Sequence, residues 1–266
     1  MIYRSVNKFD ISQIQELYKR QFNLNINEGW YNYFYYNKNL NKYYSVIAED
    51  EGKIVGHNAI IMNEYMFRDI KIIVGLSSGS MVLPEYCGLF YDILNYNIDN
   101  FQGDIIIGFP NKNAQGVIIK IFNFKNINQN YFSIDCSKIK YLKSLKDIEC
   151  ISNFIRTKEY IDWRIDKHPI NKYKKISINN TSVIYKEYHS NEIDIMYVNY
   201  FNDEFIEILI KLLESYKRIN IIHWDINYIK KIGFEEQKNN IFVYKNISNK
   251  VNISTFECQM IDSDVY

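Results

Sequence analysis

One stretch constrains the fold more than any other: residues 76–116, LSSGSMVLPEYCGLFYDILNYNIDNFQGDIIIGFPNKNAQG. Residues 76–83 are apolar and small and end at Pro84, as a strand that stops at a proline does. Leu89, Phe90, Ile93, Leu94 and Ile98 then follow at helical spacing. Residues 104–107 are a short, mostly apolar run, which predicts a buried strand. Gly108-Phe109-Pro110-Asn111 breaks the chain before a second helical pattern. Strand, turn, helix, strand, turn, helix is a βαβα unit, whose crossover is normally right-handed and sets the two strands parallel. The helix after Pro84 therefore starts at the end of a strand, where backbone N–H groups point outward and attract phosphate. A ligand is expected there.

The rest of the chain can be arranged around this unit. Residues 2–6 read as a strand. Asp10 can cap a helix carrying Ile11, Ile14, Leu17, Tyr18 and Phe22 on one face, and a second helix covers 28–36. Residues 43–49, 54–62 and 67–83 read as three antiparallel strands, the first two joined by a turn at Asp50-Glu51-Gly52-Lys53. After the βαβα unit come a strand over 131–142, a helix over 157–167, and strands over 173–178, 182–188 and 193–200. A helix capped by Asn202 or Asp203, a buried strand at 220–224, a short helix, Gly233-Phe234 and a last strand at 241–244 follow. The second half thus repeats the order of the first without a visible residue-level repeat. Residues 258–266 are polar and acidic and read as a loose tail.

The totals exclude several classes. The 266 residues leave room for one large or two small domains, and 47% are apolar, enough for a core. The abundance of Tyr alongside Ile, Asn and Lys reads as codon bias rather than tyrosine chemistry. A net charge of +1, from 32 basic and 31 acidic residues, gives no basic stripe for nucleic acid. Cys87, Cys136, Cys150 and Cys258 are widely spaced and form neither a CxxC nor a zinc pattern, so free thiols and a reducing compartment are expected. With neither a signal-peptide pattern nor an apolar run of about 20 residues, a cytoplasmic protein without membrane or metal is expected.

At this point the local residues resemble the GNAT family of acyl-CoA N-acyltransferases. Glu51-Gly52-Lys53-Ile54-Val55-Gly56-His57 resembles that family's DGKIVG hairpin. Met81-Val82-Leu83-Pro84-Glu85-Tyr86 resembles the V-x-P-x-Y-R that ends its fourth strand. Gly108-Phe109-Pro110-Asn111, with Asn113-Ala114, resembles a subgroup marked by GFPN. Trp163-Arg164, His168-Pro169 and Tyr173 resemble the WR…HP…Y of the same subgroup. The resemblance implies an α/β fold with a mixed sheet, in two GNAT-like halves, 1–142 complete and 143–266 abbreviated. It also implies acetyl-CoA or another acyl-CoA as co-substrate. The pantetheine would run along Met81, Val82 and Leu83, and the pyrophosphate would sit on the turn Tyr86, Cys87, Gly88, Leu89 and Phe90, with Asn111 and Asn113 facing them. Cys87 stands at the family's arginine position, and the second glycine of its R-G-x-G turn is missing. Ile119 stands where relatives place an acidic tyrosine.

Candidate catalytic residues are few. His57 can serve as a base, its ordinary pKa being near ~6.5, or as a hydrogen-bonded sheet histidine. Ser78 and Ser80 can orient a water or the acceptor. Asn111 can cap its helix or touch the ligand. Trp163, Arg164 and His223 are candidates for binding the acceptor; Arg164 can instead pair with Asp162 or Asp166. The expected reaction is acyl transfer to a primary amine of a small molecule, with an amino sugar of surface-polysaccharide synthesis as the acceptor that the subgroup resemblance suggests. A Fem-type aminoacyl transferase and a non-catalytic binding protein that keeps the fold are the alternatives. A homodimer is compatible with all three.

Overall fold

The turn at Asp50-Glu51-Gly52-Lys53 forms as the sequence predicts. Glu51 and Gly52 adopt φ of 48° and 80°, the left-handed pair that matches the twist of the flanking strands. In the computed structural model, which describes residues 1–38, 40–251, 253–254 and 256–263, this turn joins β4 (Ser45–Asp50) to β5 (Lys53–Phe67). The fold is mixed α/β. Backbone contacts group the chain into two units. Unit 1 is Met1–Asn63, Ile72–Lys125 and Val243–Asn252; unit 2 is Glu64–Lys71, Asn126–Phe242 and Ile253–Tyr266. The expected boundary at 142 lies inside unit 2.

In unit 1 the chain runs β1 (Ile2–Ser5), α1 (Ile11–Phe22), α2 (Glu28–Tyr35) and the short pair β2 (Tyr36–Asn37) and β3 (Lys42–Tyr43), before β4 and β5. It continues through β6 (Ile70–Val82), α3 (Leu89–Asp99), β7 (Ile105–Gly108) and α4 (Lys112–Lys120). The sheet order is β1-β4-β5-β6-β7, with the end of the last strand, β14 (Glu235–Asn246), antiparallel to β7. β6 and β7 are parallel, as the βαβ crossover requires.

Alternation along β5 assigns the two faces of this sheet. A side chain at Gly56 would touch Ile93 of α3 and Ala48, so α3 covers the Gly56 face. His57, one residue on, contacts Tyr31 and Tyr35 of α2, so α1 and α2 cover the other. α1 holds on through Ile14, Leu17 and Tyr18, all buried; full burial of an Ile or Leu side chain contributes roughly 1.5–3 kcal/mol. Asn27 caps α2 by accepting from the Trp30 amide.

Unit 2 contains β8 (Lys125–Asp135), α5 (Ile139–Leu142), β9 (Phe154–Arg156), α6 (Lys158–Ile161), β10 (Lys174–Ile178), β11 (Thr181–His189) and β12 (Glu192–Val198), then α7 (Asp203–Ser215), β13 (Arg218–His223) and α8 (Ile226–Lys231). Its sheet runs β8-β13-β12-β11-β10, with β12 and β13 parallel. Phe132, Ile134, Ile219 and Ile221 on one face meet Phe205, Leu209 and Leu212 of α7. Two expectations are corrected. The strand placed at 131–142 stops at Asp135, whose carboxylate accepts from the Ser137 amide and turns the chain into α5. The stretch 258–263 is buried rather than loose; the remainder of that tail, 264–266, lies outside the described residues. Among the described residues no helix is long and apolar enough to cross a membrane.

Candidate active site

The parallel ladder between β6 and β7 pairs Val74 with Ile105, Gly75 with Ile106, Leu76 with Ile107 and Ser77 with Gly108. There it ends. β7 stops at Gly108, whereas β6 runs on for five residues, 78–82. Gly79 lies just past the last pair, at φ +59°. It acts as a bulge, and Asn58 shows this directly. The Asn58 amide donates to Ser80 Oγ at 2.7 Å and also reaches Ser77 Oγ at 3.5 Å. In an uninterrupted strand, residues three apart face opposite sides. One extra residue at Gly79 brings Ser77 and Ser80 to the same side, and β6 runs on past the end of β7.

The bulge is held from the other face. The His57 ring carries a hydrogen bond of 2.7 Å between Nδ1 and the Gly79 carbonyl oxygen. A carbonyl only accepts, so Nδ1 bears the proton. Nε2 then accepts from the Tyr31 hydroxyl at 2.9 Å, and Tyr31 accepts from Ser45 Oγ at 2.7 Å. His57 is fully buried, and burial lowers its pKa to about 4. Both nitrogens are used and the ring is neutral and out of reach of an acceptor. The role of base is therefore replaced by that of a sheet histidine, with the bulge carbonyl as its target. The hydroxyls of Tyr18 and Tyr35, 2.8 Å apart, pack against the Gly79 α-carbon, where a β-carbon would collide with them. Ser78 lies on this face, buried, 3.3 Å from the Tyr35 hydroxyl. Ser78 and Ser80 are thus held on opposite faces of β6, each by a neighbouring side chain.

Two helix N-termini flank the split, and they differ. α4 is capped by Asn111, whose carbonyl oxygen accepts from the Asn113 and Ala114 amides at 3.1 and 2.9 Å. Asn111 and the exposed Asn113 thus serve the helix itself. α3 has Gly88 at its cap position and no side chain caps it. A β-carbon on Gly88 would meet nothing within 4 Å, so the turn before α3 is uncrowded there; within it the Phe90 amide donates to the Cys87 carbonyl at 3.3 Å, continuing the 3-10 turn of Pro84–Tyr86 into the helix. Met81 and Leu83 are buried, with the Leu83 amide bonded to the Val55 carbonyl at 2.8 Å. Val82 is half-buried between them, as are Leu89 and Phe90 in the first turn of α3; Cys87 is exposed. Tyr86 donates its hydroxyl to Asp50 at 2.9 Å, tying the turn to the end of β4. Arg20 of α1 lies 3.9 Å from Glu85 in an exposed ion pair, next to the turn where Cys87 stands in place of the expected arginine. Sequence spacing did not reveal this, because Arg20 is 65 residues away along the chain.

The remaining candidates belong to unit 2, where each has structural neighbours. Trp163 is half-buried beside Tyr160. Arg164 is buried and donates to the backbone carbonyls of Ile261 and Ser263. His223 is buried and stacked on Trp224 and Tyr228, with Nδ1 accepting from the Asp225 amide at 3.0 Å; burial lowers its pKa to about 4.

Comparison with solved structures finds the same fold in N-acetyltransferases. A GCN5-related N-acetyltransferase from Kribbella flavida superposes with a TM-score of 0.68 at 10% identity, over 92% of this chain and 71% of that one. A GCN5-related N-acetyltransferase from Anabaena variabilis gives 0.66 at 8% identity, over 92% and 72%. Eis1 from Mycobacterium abscessus gives 0.64 at 9%, over 92% and 74%. No protein-family model matches the sequence, and no curated protein is significantly similar to it. At these identities the likeness is one of fold.

Proposed function

We propose that unit 1 binds an acyl-CoA in the split between β6 and β7 and transfers its acyl group, acetyl in the first instance, to a primary amine of a small molecule. The observation that carries this reading is the ladder that ends at Ser77 and Gly108 while β6 continues past a glycine bulge toward an uncapped helix. A strand edge offers a pantetheine arm backbone partners, and the start of α3, which no side chain caps, offers the pyrophosphate the helix's positive end. The fold shared with the N-acetyltransferases above supports the same reading. Unit 2, whose parallel strands β12 and β13 also stop pairing partway, reads as a second, abbreviated copy.

The chemistry falls mainly to positioning. The amine nitrogen attacks the thioester carbon, the C–S bond breaks, and the thiolate takes the proton released by the amine. His57 is fully buried, so the acceptor's ammonium form first gives a separate proton to water and enters as the free amine; the thiolate takes the second proton, released after attack. In this reading, backbone amides along 78–82 that β7 does not pair donate to the oxyanion. The test is thiol release from acetyl-CoA over a panel of primary amines, amino sugars included, together with thermal shift. Saturating acetyl-CoA is expected to raise the melting temperature, since a ligand of the native state stabilises it by mass action. A shift without thiol release for any amine would favour a binding protein, and no shift at millimolar acetyl-CoA would overturn the reading.

A further inference from the structure

The split in unit 2 has an occupant. The β12–β13 ladder ends at Ile195 and Ile221. At the same place β12 carries an extra residue, Met196, against β11: Tyr185 faces Ile195 but Ile184 faces Tyr197. The Asn199 amide points to Ser182 of β11. Backbone groups alternate from side to side along a strand, so Val198 turns its amide and carbonyl toward the side that β13 has left. Both are taken by one side chain. Gln259 accepts from the Val198 amide at 2.7 Å and donates to the Val198 carbonyl at 3.0 Å, the bonds a paired strand would make. Met260 is fully buried against Met196 of β12 and Ile222 of β13, one residue from each parted strand.

The segment is anchored on both sides of Gln259. Glu257 accepts from the Ser152 hydroxyl and the Asn153 amide at 2.8 and 2.7 Å. Asp262 forms a fully buried ion pair with Arg156 and accepts from Tyr65 at 2.8 Å.

We propose that the β12–β13 split is a peptide groove whose ligand is residues 257–263 of this same chain. It recognises a side-chain carboxamide on the strand edge, a thioether between the strands and a carboxylate on a buried arginine. The groove is thereby closed to a nucleotide-thiol ligand, and the chain takes one acyl-CoA, in unit 1. This last clause rests on the function proposed above.

The experiment is amide hydrogen exchange on the full chain, with and without saturating acetyl-CoA, and on Gln259→Ala and Gln259→Glu. The expected result is slow exchange at Val198 and across 257–263 in the unsubstituted chain, unchanged by acetyl-CoA. Protection by acetyl-CoA is expected at 78–83 and 88–90. Each substitution is expected to speed exchange at Val198 at least tenfold while leaving 78–83 unchanged. Rapid exchange across 257–263 in the unsubstituted chain, or acetyl-CoA protection at 195–199, would overturn the proposal. If acetyl-CoA protects nothing anywhere, the acyl-CoA reading fails, while the exchange rates at Val198 still decide whether the groove holds its own chain.

Discussion

At the scale of single residues, Gly79 and His57 matter most. Gly79 combines a left-handed φ with two tyrosine hydroxyls against its α-carbon. Gly79→Val should therefore cost about 2–4 kcal/mol, from backbone strain and overpacking together, and should abolish the thermal shift with acetyl-CoA. Denaturant titration and thermal shift check the two parts separately. His57→Phe leaves the Gly79 carbonyl and the Tyr31 hydroxyl without their partner, which should destabilise by about 2–4 kcal/mol. Because burial holds His57 near 4, the unsubstituted protein should show no inflection in kcat/KM between pH 6 and 7; activity should instead climb with the free-amine fraction of the acceptor. An inflection near 6.5 that disappears in His57→Asn would restore His57 as base. The sequence made His57 visible as the one histidine of a largely apolar strand. It could not show that the ring's target is a backbone carbonyl 22 residues on, because that contact exists only once β5 and β6 pair.

At the scale of elements, the strand, turn and helix around Pro84 were legible because proline, glycine and helical spacing are local signals. The split itself was inferred only by resemblance, since strand pairing is a long-range property. The uncapped start of α3 supports a sharper prediction. Gly88 has φ of −62° and space for a side chain, so Gly88→Asp should leave stability unchanged or slightly raised by the helix dipole. The same carboxylate should repel the pyrophosphate and weaken acetyl-CoA binding at least tenfold, measured by calorimetry. Two elements were misread for physical reasons. The strand at 131–142 was carried too far because Ile139 and Leu142 continue its apolar content, although Asp135 had already turned the chain. Residues 258–263 read as a tail because Gln259 and Asp262 are polar, as is Glu257 just before them. Their partners Asn153, Val198 and Arg156 lie 61–106 residues away in sequence. Asp262→Ala should cost unit 2 about 3–5 kcal/mol, by leaving the Arg156 guanidinium buried without its carboxylate.

At the scale of the whole molecule, three histidines link stability to pH. Burial lowers His57 in unit 1, and His223 and His168 in unit 2, from 6.5 to about 4. The unfolded chain takes up these protons near pH 6.5, but the folded chain does not until about pH 4. Their contribution is thus fully present above pH 6.5 and is lost as pH falls toward 4, by up to about 1.4 kcal/mol per pH unit for each fully buried ring. Denaturant midpoints measured between pH 7 and 4 should fall accordingly, and His223→Phe should flatten part of that slope. The central claim concerns unit 1: its parted strands hold a thioester cofactor. Diffraction from crystals grown with a non-hydrolysable acetyl-CoA analogue tests this most directly. The account predicts density for the pantetheine arm along 80–83 and for the pyrophosphate against the amides at 88–90; an analogue bound elsewhere, with β6 and β7 closed upon each other past Ser77 and Gly108, would contradict it.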